Sequence, residues 1–265
     1  MACLIAARSP AAFERQPESV RACGMGGAGL AIAGNVWGGL MNPAALARTR
    51  ERMIAVSGAP SPFGLEELRR SACTYSEPFG RFTASVSGIR YGYEVYREIT
   101  LGAACGLDCG CGVRAGVAVT LNSLSIAGYG RGSCIGYDAG ILCEIVRGLD
   151  LGASASNVNS PSPGLMRENL PRSVQAGVAF APAECFIVAC DVAEDPRFPA
   201  EVRLGAEYTV LGILALRAGI STEPSSCSAG VGVLFFSLEI EYAFSRHQEL
   251  GFTHRFGLSL HLGGA

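Results

Sequence analysis

From Arg52 onward the chain repeats one pattern, short segments in which apolar residues alternate with small or polar ones. Over residues 236–245, Phe236, Leu238, Ile240, Tyr242 and Phe244 alternate with Ser237, Glu239, Glu241, Ala243 and Ser245. The last segment sets Phe252, Phe256, Leu258, Leu260 and Leu262 against Thr253, Arg255, Gly257, Ser259 and His261. In mid-chain, Val113, Ala115, Val117, Val119 and Leu121 alternate with Arg114, Gly116, Ala118, Thr120 and Asn122. Successive strand side chains point to opposite faces, so this period of two predicts strands with one apolar and one polar face. Alternation alone fits either a sandwich with its apolar faces inward or a barrel with them outward.

The connections favour the barrel. Fourteen segments fall near 51–59, 68–77, 80–90, 95–107, 110–122, 133–144, 148–158, 172–181, 184–193, 200–209, 211–219, 227–234, 236–246 and 251–263. Short turns, as at Pro78-Phe79 and Pro182-Ala183, alternate with longer loops at 60–67, 123–132, 158–171, 194–199, 221–226 and 246–250. Short turns on one rim and longer loops on the other mark outer-membrane barrels, and an even strand count returns both ends to the short-turn rim. Roughly 15 residues per strand and connection suffice for the ~9–11 that a tilted spanning strand needs. The predicted fold is therefore all-β, a transmembrane antiparallel barrel of about 14 strands over residues 51–265. Residues 1–50 form an N-terminal extension, with a candidate signal-peptide remnant at 1–12. Helical pattern is confined to short stretches at 43–52 and 65–70.

Composition changes the picture in three places. The chain has 35 glycines and only 17% charged residues, yet its longest uncharged apolar stretch, 208–216, contains Gly212 and is too short for a spanning helix. A formal charge of −2 lacks the basic excess of a nucleic-acid binder. Eleven cysteines cannot all pair. Cys105, Cys109 and Cys111 lack the second half of a zinc site and a nearby histidine, so they read as small apolar filler; no metal or cofactor is expected.

Residues 13–50 break the alternation. Met25-Gly26-Gly27-Ala28-Gly29 has the glycines of a phosphate loop without the flanking strand and helix of a dinucleotide fold, and close packing inside a lumen is a better use for them. Ala22-Cys23-Gly24-Met25-Gly26-Gly27-Ala28-Gly29, followed by Asn42-Pro43-Ala44-Ala45-Leu46, resembles the N-terminal signature of FadL-like outer-membrane proteins. More specifically the chain is similar to the PorV/PorQ-type branch, on Tyr137-Asp138-Ala139-Gly140, Leu151-Gly152 through Asn157, and the closing Glu241-Tyr242-Ala243-Phe244, His247, Glu249-Leu250-Gly251 and Thr253-His254-Arg255. The resemblance spans about residues 14–263. It implies a fourteen-stranded barrel in the bacterial outer membrane with the N-terminal segment folded inward as a plug. It also implies that Asn42, Pro43 and Ala44 lie in the lumen, where the same stretch helps to gate passage in the fatty-acid transporters. The residues suggest a plainer role too, Asn42 capping a short helix that starts at Pro43. The chain is shorter than those transporters, and residues 262–265 lack the terminal aromatic often used in barrel assembly.

On this reading Asp138, Asp150, Glu201, Arg203, Glu207, Arg217, Glu239, Glu241 and Arg255 project into the lumen, as a salt-bridge network between barrel and plug or as contacts to solute. Tyr91, Tyr93, Tyr96 and Phe79 are candidate anchors at the water–lipid boundary, with Trp37 packed inside. His247, His254 and His261 form no nucleophile–base arrangement, and His254 and His261, an odd number apart, face opposite ways; no catalytic residues or enzyme activity are expected. Partners would be membrane lipid, with hydrophobic small molecules or secreted proteins besides. Passive transport of hydrophobic or small solutes is the leading expectation. The alternatives are a non-transporting barrel serving type IX secretion or surface attachment, as PorV-like relatives do, and a soluble β-sandwich binding module.

Overall fold

The computed structural model describes residues 12–164, 169–170, 172–196 and 198–263. Fourteen strands follow one another: β1 (Met53–Ala59), β2 (Arg70–Phe79), β3 (Phe82–Gly92), β4 (Tyr96–Gly110), β5 (Val113–Ile126), β6 (Gly130–Val146), β7 (Leu149–Ser156), β8 (Ser173–Ala183), β9 (Phe186–Glu194), β10 (Glu201–Val210), β11 (Leu214–Thr222), β12 (Ser225–Phe235), β13 (Leu238–His247) and β14 (Gly251–His261). Each pairs antiparallel with the next, and β1 pairs with β14, Val56 opposite Leu258, so the sheet closes on itself.

Burial decides which face is which. In β5, Val117 is 61% exposed and its neighbour Ala118 only 3%. Thr74, Ser76, Thr83, Ser85, Thr120 and Asn122 are all buried, whereas Leu101, Val119, Ile141, Leu204 and Leu258 stand on the outside. A sandwich would bury those apolar residues in a shared core. A closed sheet that buries its polar face and exposes its apolar one is a transmembrane barrel, because lipid solvates the outside and closure leaves no unpaired backbone there.

The strands fall within a few residues of the expected segments, but three long connections shrink. The loops expected at 123–132, 221–226 and 246–250 reduce to 127–129, 223–224 and 248–250, because the ladders run on through Ser125–Arg131, Ser221–Ser226 and Thr222–Ser225 pairs. Ladder bonds are made by the backbone, so polar residues extend a strand past the end of its apolar alternation. Long connections persist at 60–69 and 157–172. Phe236, expected on a strand face, sits in the β12–β13 turn with φ +55°. The Leu211-Gly212 turn has φ +53° and +69°, the left-handed pair whose twist matches a tight hairpin.

Two expected boundary anchors turn inward. Tyr91 packs edge-on against Tyr96, and the Tyr96 hydroxyl donates to Glu98 (2.6 Å) inside the barrel. Both lie on the polar face of their strands, and strand parity overrides a tyrosine's preference for the boundary. Phe79 faces out, stacked on Phe82 at 5.0 Å beside the short-turn rim, where aromatic rings suit the membrane interface.

Residues 12–52 run through the interior. Ser19 caps α1 (Val20–Gly24), accepting from the Ala22 amide. Next come α2 (Gly38–Met41) and a 3₁₀ segment, Pro43–Arg48. The 3₁₀ segment packs on β3 to β6, and α1 packs on β11 to β14. Trp37 is buried with Val36, Met53, Ala55 and Ala72. Two glycine strips make room for this backbone. Gly106, Gly116 and Gly140 stand side by side on β4, β5 and β6. A Cβ at Gly106 would lie 2.6 Å from the Pro43 carbonyl oxygen, and one at Gly116 or Gly140 would collide with Pro43, Ala44 or the Asn42 amide. Opposite, Gly205 and Gly219 are neighbours on β10 and β11, and a Cβ at Gly205 would come within 2.6 Å of the Met25 Cβ.

Gly116→Val should therefore lower stability by roughly 1–3 kcal/mol through overpacking and expose residues 12–52 to protease while the barrel still migrates as a folded species on gels. Unchanged protease resistance would refute the strip as a seat. Val119→Arg, on the lipid face at mid-strand, should cost ~2–4 kcal/mol in urea unfolding from vesicles.

Candidate functional site in the barrel interior

The alternation that turns apolar residues outward forces every charged residue on the other parity into the interior, where each needs a partner. Arg217 of β11 is the hub. Its guanidinium donates to Glu207 (2.6 Å), Glu241 (2.6 Å) and Glu239 (3.3 Å), drawing β10, β11 and β13 together. Gly232 leaves it space on β12. Arg21 of α1 then takes both oxygens of Glu207 (2.8 and 2.5 Å), fixing the helix to the wall.

The other ion pairs repeat this arrangement. Arg15 pairs with Asp138, and Glu18 accepts from Arg70 Nε (2.6 Å). Arg48 reaches Asp150 (3.2 Å) and Glu144 (3.3 Å), which Arg114 shares. Arg203 pairs with Glu201 (2.6 Å), and Arg255 donates to the Pro17 carbonyl (3.2 Å) and the Gln16 side chain (2.9 Å). The nine charged residues singled out from the sequence stand on the parity of the buried wall residues, and four of them, Asp138, Asp150, Glu207 and Arg255, bond to residues 12–52.

Asn42 is fully buried. Its oxygen accepts from the Ala44 amide (3.1 Å), capping the 3₁₀ segment, and its amide donates to Leu30 O (3.1 Å) and Ile141 O on β6 (3.2 Å). Pro43 and Ala44 lie flat on the first glycine strip.

Sequence reasoning missed Asp191. One of its oxygens accepts from the Gly29 and Leu30 amides (2.7 and 2.9 Å), holding the glycine-rich turn, while Gly177 opposite leaves room for the carboxylate. Its signal was a lone acid between two inward alanines of β9, Ala189-x-Asp191-x-Ala193. Arg70, Glu98 and Arg114 were legible by the same parity, while Arg15, Glu18 and Arg21 lie where alternation gives no face. The histidines separate: His254 stacks on Tyr242 outside, His261 lies inside near Glu51 (3.3 Å), and His247 accepts from the Glu249 and Leu250 amides at the loop rim. Among the described residues no three metal-ligating side chains come together, and no disulfide forms.

Cavities open toward both rims among the described residues. One of about 60 Å³ lies in the loop-rim half, among Phe13, Leu40, Ile89, Tyr91, Thr100 and Asn122. The other, about 250 Å³, opens at the short-turn rim, with Val36, Trp37, Met53, Ile213 and Leu234 on its apolar side and the Arg217 cluster on its charged side.

A closed fourteen-stranded barrel with an apolar exterior and an occupied interior defines the outer-membrane β-barrel class. Solved structures share the fold. The toluene transporter TodX of Pseudomonas putida superposes with a TM-score of 0.66 at 13% identity, covering 94% of this chain and 100% of that one. A FadL homologue of Pseudomonas aeruginosa gives 0.64 at 13% identity, covering 91% and 97%. The Acinetobacter baumannii outer-membrane protein Omp33 gives 0.56 at 6% identity, covering 80% and 98%. No protein-family model matches the sequence, and no curated protein matches it. The chain shares the barrel fold of TodX and of the FadL homologue.

Arg217→Met should cost roughly 3–5 kcal/mol, because it strands buried carboxylates. Urea midpoints in vesicles test this, and Glu241→Gln in the same chain should recover part of the loss. A midpoint equal to wild type would show that the hub is not holding the wall.

Proposed function

We propose that the chain is a plugged conduit for passive movement of small or hydrophobic solutes across the outer membrane. The observation that carries this reading is the pair of cavities on opposite sides of residues 12–52, each lined by apolar and polar groups together. Filler that only stabilised the barrel would pack to the density of a protein interior and leave few voids larger than a water. Residues 12–52 act as the plug, footed by Asn42, Pro43 and Ala44 on the first glycine strip and clamped by the interior charges. The mixed lining suits a solute with an apolar body and one polar group. The shared fold with a protein described as a toluene transporter supports the apolar part.

The PorV/PorQ-like resemblance supplies the competing reading, a barrel sealed to solutes that engages secreted proteins.

The test is uptake of labelled toluene by cells whose outer membrane displays the full chain, against cells carrying an unrelated closed barrel. Faster uptake supports the conduit. Equal uptake, with exported proteins co-purifying, would overturn it in favour of the secretion role.

A further inference from the structure

We infer that the short-turn cavity is a binding site for an organic monocation, an ammonium group carrying a small aromatic or aliphatic body, with its nitrogen held between Glu239 and His261. The inference rests on the conduit reading, in which solute reaches this cavity, and goes beyond it by naming the charge that the cavity selects.

Charge around this cavity does not balance within the wall. Its lining holds three carboxylates, Glu207, Glu239 and Glu241, against two guanidiniums, Arg21 and Arg217. Glu207 is engaged on both oxygens, and Glu241 meets Arg217 at 2.6 Å. Glu239 has only the far reach of the same guanidinium, 3.3 Å from its Oε1. Among the described residues its other oxygen, Oε2, faces only His261, whose Nε2 stands 4.0 Å away. That nitrogen is buried and has no hydrogen-bond partner among the described residues. The ring's Nδ1 lies 3.3 Å from the Glu51 carboxylate. In a neutral imidazole the Nδ1 hydrogen goes to that carboxylate, which leaves the Nε2 lone pair free to accept. Glu239 and His261 thus present two acceptors with no donor between them, and one nitrogen can stand about 2.9 Å from both. An ammonium group supplies those donors and neutralises the third carboxylate.

The rest of the lining suits the body of such a cation. Val36, Trp37, Met53, Ile213 and Leu234 form its apolar side. The volume, about 250 Å³, exceeds the ~150 Å³ in which a protein cavity holds a benzene ring, so a ring on a short tether to its nitrogen fits. A neutral hydrocarbon would leave both acceptors unpaired, and a carboxylate would bring a further negative charge to three acids. A hard divalent metal ion is a poor occupant, because it needs about six oxygen ligands and no three metal-ligating side chains converge among the described residues.

Trp37 is the only tryptophan in the chain and lines the cavity, so its fluorescence reports occupancy there. The test titrates the full chain, in zwitterionic lipid nanodiscs at slightly alkaline pH, with phenylethylamine, neutral propylbenzene and anionic phenylpropanoate. The amine should change Trp37 emission saturably. Propylbenzene, which forms no charge-assisted hydrogen bond, should bind about tenfold more weakly or worse, and phenylpropanoate should not bind. Glu239→Gln keeps the side-chain size and leaves Arg217 its two closer carboxylates, so the variant should fold. It should lower amine affinity about tenfold and leave propylbenzene binding unchanged. His261→Phe, which removes the second acceptor, should weaken the amine as well. Glu77→Gln removes a carboxylate paired with Arg52 outside the cavity lining and should bind the amine like wild type. Equal affinity of wild type for amine and propylbenzene would overturn the site, as would unchanged amine affinity in folded Glu239→Gln. Toluene uptake by cells separates this inference from the conduit. Amine binding without uptake keeps the site and rejects the conduit, and uptake without amine preference does the reverse.

Discussion

Every peptide group in the wall of this protein has to find its partner within the sheet, because lipid offers none. Pairing of β1 with β14 satisfies that demand, and the rest of the architecture follows. Once the sheet is closed, each strand has one face toward acyl chains and one toward an enclosed space. The period of two then sorts most of the wall: valines, leucines and phenylalanines mainly outside, and glycines, hydroxyls and paired charges mainly inside. The charges are tolerable there only because they pair with one another or with the segment that enters the barrel.

That segment is held by two different kinds of contact. The glycine strips work by shape, letting backbone lie on backbone where any Cβ would intrude. The ion pairs work by charge in a space with little water, so breaking one partner costs far more than the pair contributes net. Arg217 joins both kinds, since it occupies the space left by Gly232 and binds three carboxylates at once. The result is an interior clamped at its two sides, with α2 packed between them against β3 and β4.

Much of this was legible in the chain. Residues such as Val117 and Ala118, or Leu258 and Ser259, announce their faces by alternation, because the strand period is fixed by backbone geometry. The interior position of Asp138, Glu207 and Arg217 followed from the same parity. The ends of β5, β6, β11 and β12 did not, since polar residues keep pairing after the apolar signal stops. Tyr91 and Tyr96 were misread because residue type was weighed above parity. Asp191 was passed over because its partners are backbone amides of residues 29 and 30, which carry no sequence signature.

By itself the sequence determined the strand count, which residues of a strand share a face, and that the glycines at 26 and 27 serve close packing. These depend on local periodicity and on side-chain size, which a chain displays at every position. Only the tertiary structure decided that Asn42 bridges to Ile141, that Met25 lies over Gly205, and that Trp37 packs on Met53, Ala55 and Ala72. Those contacts join residues far apart in the chain. They arise from how a segment with no repeating pattern fits a closed wall, and that fit depends on the shape of the whole barrel.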